Sequence, residues 1–455
     1  TEPFSGWVPV PDGCPPLALR GSPCPETSLW GGRAVYVEEA APLAATPLEY
    51  CAASPPSSSL QAEPAGNALL RVQNGRYRVD FDPLTGRIAE VYDKALHAPL
   101  LRARGENGVF AYRYEKIGSE RIHSYLEAIR RESYSCPPGE RDWGELDNGR
   151  EDYPACGDEQ FEPVFEGWSV EESTLMLRYH GTACGPYGDA EAICLRVTLP
   201  PCSGELFVQL DLNGKQATPF VESGTLLFPL AMETPAYRFN KNGNLIDPAR
   251  DIVPCANHVF YCLEDFASAA EQGRSCTVVS LDAPLLSLGE SGVYRYREQY
   301  EPHEPTLWFN LFNNMWGTNF PQWIEGNASF RFIIFGSAGE ETPCARAFAL
   351  ADGPRVVSAR PARLPVRLPA GTRLLHAERC GDALLLRFAD TLGRARRAAV
   401  RALEPHWEFY ETDFFSRPLC SGRCRDAIFL SLAPWSIHTV CCMRRNEAGK
   451  PLGFS

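Results

Sequence analysis

The sequence has no continuous apolar run near the roughly 18–20 residues a membrane-spanning helix needs, which excludes a helical anchor within it. Helical periodicity is rare, the best cases being Glu120 to Arg131 and, weaker, Thr342 to Leu350. There is no phosphate loop, dinucleotide-binding glycine fingerprint, His-Glu-x-x-His or Gly-x-Ser-x-Gly elbow. The 8 histidines stand singly, none at metal-chelating spacing from another. Basic charge is also short: 44 Lys and Arg face 57 Asp and Glu, a net charge of −13. No basic stripe offsets it, and tracking phosphates requires one. Neither nucleic acid nor membrane is therefore expected as a partner.

What is present is apolar material for large cores, 44% hydrophobic and 11% aromatic over 455 residues, enough for two to four domains at about 100–200 residues each. The 39 Pro and 37 Gly cut the chain into short segments. Apolar and polar residues alternate in Tyr77 to Phe81, Leu175 to Tyr179, Leu206 to Leu210, Phe330 to Phe335 and Ala383 to Phe388. Period-two patterning bounded by turn residues reads as half-buried strands. Asp82-Pro83-Leu84-Thr85-Gly86 puts Pro and Gly in their usual turn places between two such runs. The fold class is all-β.

The Ser-, Pro- and Ala-rich stretch Ala52 to Gly66 reads as a linker, and Glu140 to Glu172 as an acidic, solvated loop. Composition shifts toward Arg and Ala beyond Ser337 to Glu341. The expected division is a leading β segment and linker over 1–66, a main β body over 67–338 and a C-terminal β-sandwich over 339–455. The 17 cysteines are odd in number and scattered. Adjacent Cys441 and Cys442 would point to opposite faces of a strand, so with Cys420 and Cys424 they make a poor zinc site. They read as reduced, half-buried thiols of a cytoplasmic protein, and no metal is expected in this chain. Thr1 is not an initiator Met and no signal peptide follows it, so the chain is expected to be part of a longer polypeptide.

One segment stands apart. Leu311 to Trp323 packs Asn313, Asn314, Asn319, Gln322, Trp316 and Trp323 into thirteen residues. Amides both donate and accept, which suits sugar hydroxyls, and Trp faces stack on the apolar side of a pyranose. The same composition also describes a structural corner, with Asn side chains capping backbone groups while Trp fills the core. Asp282 and His258 add polar groups in turn-like settings. Both readings stand at this stage, and no residue is assigned as catalytic.

Several runs resemble a known family. Asn74-Gly75-Arg76-Tyr77-Arg78-Val79-Asp80-Phe81-Asp82, then Thr85-Gly86-Arg87-Ile88 and Asp93-Lys94, is similar to the opening of the large β domain of glycoside hydrolase family 38, the α-mannosidases. Lys215, Glu222 and Phe228-Pro229 resemble a later stretch of that domain. So do Asp282-Ala283-Pro284 and Asn313-Asn314 with Trp316 to Phe320. Pro434 to Val440 resembles its terminal strand, with Ser436 where the family usually has Glu. These matches run in family order.

The resemblance implies a galactose-mutarotase-like β supersandwich flanked by smaller β-sandwich segments. It implies zinc and a nucleophilic Asp on a preceding catalytic domain whose motifs are absent here. The expected partners are therefore carbohydrate and that N-terminal catalytic domain, with no cofactor in this chain. Two alternatives stay open. One is a stand-alone carbohydrate-binding module. The other is a mutarotase- or lyase-type enzyme using His258, His303 and Glu325.

Overall fold

The computed structural model describes residues 4–20, 22–40, 46–50, 60–129, 155–183, 187–241, 243–254, 256–301, 303–315, 322–339, 343–354, 356, 364–380, 383–419 and 422–445. Among them only two helices occur, Ser119–Ile129 and Cys344–Asp352, and the rest of the regular structure is strand. The protein is all-β.

Two large antiparallel sheets form the main body. The first has nine strands, ordered Val164–Glu171, Thr174–His180, Ala192–Thr198, Leu206–Lys215, Gly326–Ala338, Arg274–Ser280, Phe266–Glu271, Ala236–Lys241 and Asn244–Ile246. The second has six, ordered Glu159–Phe161, Tyr112–Lys116, Glu222–Pro229, Thr306–Asn313, Leu285–Leu288 and Phe260–Cys262. A third sheet, from Glu63–Gly66 to Ala98–Arg102, adds five strands and shares the same core. Alternation places each side chain. Leu206, Val208, Leu210 and Leu212 face the sandwich interior, while Phe207 packs on the outside with Phe348 and Trp7. The sheets meet through aromatic rings: Phe228 and Phe309 of the six-stranded sheet each lie 5.1 Å from Phe332 of the nine-stranded one. Such edge and tilted contacts add about 0.5–1.5 kcal/mol each beyond burial.

The turn Asp82 to Gly86 joins Tyr77–Phe81 to Ile88–Asp93, with the Asp82 carboxylate accepting from Leu84 N and Thr85 Oγ1 and Gly86 at φ +71°. Two expectations change. The end of the Ala52 to Gly66 stretch is a strand, Glu63–Gly66, closed onto Leu69–Gln73 by Asn67 and Ala68 at φ +51° and +62°. That left-handed pair matches the twist of a two-residue hairpin. The later part of the acidic region is also strand, Glu159–Phe161 and Val164–Glu171; residues 130–154 lie outside the described residues.

Beyond the main body, Cys344–Asp352 packs Phe348 on Phe266, and Arg346 pairs with the buried Glu205. Arg373 ties this helix to the body by bonding Asp352 and Asp265, which hold its guanidinium above its ordinary range. Two further sheets then enclose a separate core that includes Phe388, Val400, Trp407, Phe409 and Leu430. No helix among the described residues is long and apolar enough to cross a membrane.

Candidate functional site

At one end of the main sandwich the chain crosses from Leu206–Lys215 in one sheet to Glu222–Pro229 in the other. The crossing is pinned by a buried ion pair: Lys215 Nζ donates to Glu222 Oε1 at 2.7 Å, and the side chains are 4% and 0% exposed. Nζ also donates to the carbonyls of Gly188, Gln216 and Ile324 at 3.1, 3.1 and 2.9 Å. Tyr114 Oη donates to Glu222 Oε2 at 2.7 Å, and burial raises its hydroxyl pKa far above the usual phenol. Beside it Tyr112 Oη donates to Asp189 Oδ1 at 2.8 Å; burial raises the Asp189 carboxyl, opposed by the Ala190 N–H, Tyr112 and Lys215. Gly188, at φ +84°, lets these loops close: a Cβ there would lie 2.6 Å from Gln216 O.

This cluster holds both feet of the Asn- and Trp-rich segment. Asn314 Oδ1 accepts from Glu222 N at 2.8 Å and its Nδ2 donates to Phe220 O at 3.1 Å, while Lys215 holds Ile324 O on the far side. Asn313 Nδ2 donates to Asn310 Oδ1 at 2.6 Å, and Asn313 Oδ1 accepts from Met315 N. The amides of Asn313 and Asn314 therefore do the backbone-capping work of a structural corner. Trp316 and Asn319 lie outside the described residues. Gln322 is half-buried, and Trp323 is 57% exposed.

Asp282 lies elsewhere, its carboxylate paired fork to fork with Arg331 at 2.8 and 2.9 Å, a strand-bracing bond. His258 is buried with no hydrogen-bond partner for Nδ1 among the described residues. Its backbone N–H donates to Arg297 O, and Arg297 Nη1 meets His303 Nδ1 at 3.2 Å. Arg297 thus meets the backbone of His258 through its carbonyl and the ring of His303 through its guanidinium. Burial, then the Arg297 charge, lowers the His303 pKa. Glu325 is exposed on the loop before Gly326–Ala338.

Next to Met315 the structure opens a cleft of about 500 Å³ between the helix Ser119–Ile129, residues 156–158 and residues 290–297. Tyr294 forms the link, its Oη donating to Met315 O at 2.6 Å. Tyr125 packs edge-on against Tyr294, and Tyr296 adds a third ring to the lining. Arg121, 9% exposed, donates to Val293 O at 2.6 Å and lies 3.6 Å from Asp158; burial lowers its pKa. Arg295 and Arg297 both pair with Glu290. Balanced charge and tyrosine edges suit a neutral polyhydroxylated ligand more than a polyanion. The alternation Tyr294-Arg295-Tyr296-Arg297 could have pointed to this lining but was not among the expected site residues. Among the described residues no three His, Cys, Asp or Glu side chains converge as metal ligands.

No protein-family model and no curated protein matches the sequence. Solved structures do match. An α-mannosidase from Enterococcus faecalis V583 aligns over 97% of this chain and 51% of its own, at 13% identity and TM-score 0.57. A glycosyl hydrolase family 38 protein from Enterococcus faecalis aligns over 97% of this chain and 53% of its own, at 13% identity and TM-score 0.56. A galactose mutarotase-like protein from Clostridium acetobutylicum covers 62% of this chain and 99% of its own at 10% identity, with TM-score 0.36. The chain spans about half the length of the two Enterococcus proteins, and nearly all of it shares the fold of that half.

Proposed function

We propose that this chain is the non-catalytic β portion of an α-mannosidase-like glycoside hydrolase. It packs against a catalytic domain elsewhere in the same polypeptide and borders that domain's carbohydrate site. The observation that carries this reading is the alignment of 97% of the chain onto about half of an α-mannosidase. In this reading the segment braced by Lys215 and Glu222 presents Trp323 and Gln322 toward sugar, with Asn313 and Asn314 holding its near foot. Zinc and the reacting carboxylates belong to the other half. A cytoplasmic location is part of the proposal, supported by exposed Cys202, Cys262, Cys380 and Cys424 being free thiols.

The test is an α-mannosidase assay of residues 1–455 beside the longer polypeptide. Turnover only by the longer chain is the expected result, and chelator-sensitive turnover by residues 1–455 alone would overturn it. The tyrosine-lined cleft favours a second reading, a self-sufficient carbohydrate-binding module. Calorimetric titration of the isolated chain with mannosides decides it: heat lost on Tyr294→Ala supports the module, and no heat at millimolar sugar excludes it.

A further inference from the structure

In the C-terminal sandwich, far in sequence from the loops above, three side chains form a continuous hydrogen-bonded line. Ser436 Oγ lies 2.9 Å from His438 Nε2, and His438 Nδ1 lies 2.6 Å from Glu411 Oε1. Ser436 immediately precedes the strand Ile437–Arg444, so Ser436 and His438, two residues apart, project to the same side. Glu411 comes from the neighbouring strand Trp407–Thr412, where it pairs with Val440, one step along that same side. The imidazole is flanked by its cross-strand partner, the fully buried Phe388 of the strand Ala383–Asp390, with ring centroids 6.0 Å apart at 24°. His438 is held at the rim of the core, its side chain 11% exposed. Ser436 is partly exposed, beside exposed Ala433, Pro434 and Ile437.

An ionised carboxylate only accepts, so Glu411 draws the neutral imidazole's proton to Nδ1 and leaves Nε2 as an acceptor facing Ser436. The Ser436 hydroxyl has a second acceptor, Ala433 O at 2.8 Å, and rotation about Cβ–Oγ moves its proton between the two. Both separations fall in the 2.6–3.2 Å range of a nucleophile–base–orienter set. We propose that Ser436, His438 and Glu411 are the nucleophile, general base and positioning carboxylate of a hydrolytic site for short acyl esters. The exposed Ala433, Pro434 and Ile437 around Ser436 suit a short acyl group on a carrier that stays in solvent.

The chemistry balances with water as the only co-reactant. Oγ bonds to the acyl carbon as its proton passes to Nε2. Collapse breaks the ester C–O bond, and the departing alkoxide takes that proton. Water, deprotonated by Nε2, then attacks the acyl-serine, and Ser436 leaves with its proton restored, giving carboxylic acid and alcohol. The proposal does not depend on the glycoside hydrolase reading.

The experiment treats the folded 455-residue chain with a fluorophosphonate, maps the adduct by peptide mass spectrometry, and follows p-nitrophenyl acetate hydrolysis in parallel. The expected adduct is on Ser436. Ser436→Ala should reduce hydrolysis to the background of the remaining histidines. His438→Gln and Glu411→Gln, in chains that stay folded, should slow labelling of Ser436 about a hundred-fold or more, the scale of lost general-base catalysis. A purely structural Glu411 would shift melting and leave the labelling rate alone. An adduct elsewhere, no adduct on the wild-type fold, or wild-type labelling in a folded His438→Gln chain would each overturn the proposal.

Discussion

Lys215 and Glu222 lie 2.7 Å apart across the crossing between the two main sheets, both sealed from solvent, and the same ammonium holds the carbonyl of Ile324. The pair therefore couples the register of two sheets to the position of Trp323. Removing one partner strands a buried charge, which costs about 3–5 kcal/mol. Lys215→Met should lower the unfolding free energy extrapolated from a urea titration by that amount, and adding Glu222→Gln should recover part of the loss. If Lys215→Met is as stable as wild type, the pair is not the brace described here.

Asn314 and Trp323 separate the two roles mixed in one segment. Asn314→Ala removes the amide that accepts from buried Glu222 N and donates to Phe220 O, a loss of about 1–3 kcal/mol. Trp323→Ala removes an exposed ring and should cost about 1 kcal/mol or less. In a mannoside titration of the longer polypeptide the order reverses: Trp323→Ala weakens binding, and Asn314→Ala, once folded, weakens it less. Equal effects of both on binding and stability would remove the distinction.

The strands were legible wherever burial is one-sided. Tyr77–Phe81 sends Tyr77, Val79 and Phe81 to the core as the alternation predicts, Ala383–Asp390 is a strand as expected but buried on both faces, and the Asp82 to Gly86 turn announces itself through Pro and Gly. Glu63–Gly66 was hidden because Ala68, not Gly, takes the second left-handed position of its hairpin. Val164–Glu171 was hidden by acidic composition, although its pairing with Thr174–His180 is regular apart from a bulge near Phe165. The candidate site was half visible. An amide that caps a backbone and one that grips a hydroxyl have the same formula, so Asn313, Asn314 and Trp323 looked alike until their partners were known. Glu411 could not be linked to Ser436 and His438, because a neighbouring strand supplies it.

Thiol chemistry checks the burial pattern directly. Burial pushes the thiols of Cys276 and Cys344 up to about 12, and that of Cys442 well above its ordinary value. The thiolate is the reactive form, so these three should resist iodoacetamide at pH 8 in the folded chain. Exposed Cys202, Cys262, Cys380 and Cys424 should be alkylated under the same conditions. Peptide mapping after brief alkylation reads the pattern, and rapid labelling of Cys276 in the folded chain would contradict this core.

The His303 environment sets the sign of a pH effect. Burial and the nearby Arg297 guanidinium favour the neutral ring, so the folded pKa lies below the ordinary histidine value. In the unfolded chain the ring takes up its proton near pH 6.5. Between that pH and the lower folded value the unfolded state binds more protons, so stability rises with pH across the window. The contribution is complete above about pH 6.5 and is lost as pH falls toward the folded pKa. His303→Asn should flatten the urea midpoint against pH between about 5 and 7 relative to wild type. A wild-type midpoint that instead rises on acidification through this window, with the rise abolished by His303→Asn, would mean that Glu290 and Glu301 outweigh Arg297 at the ring.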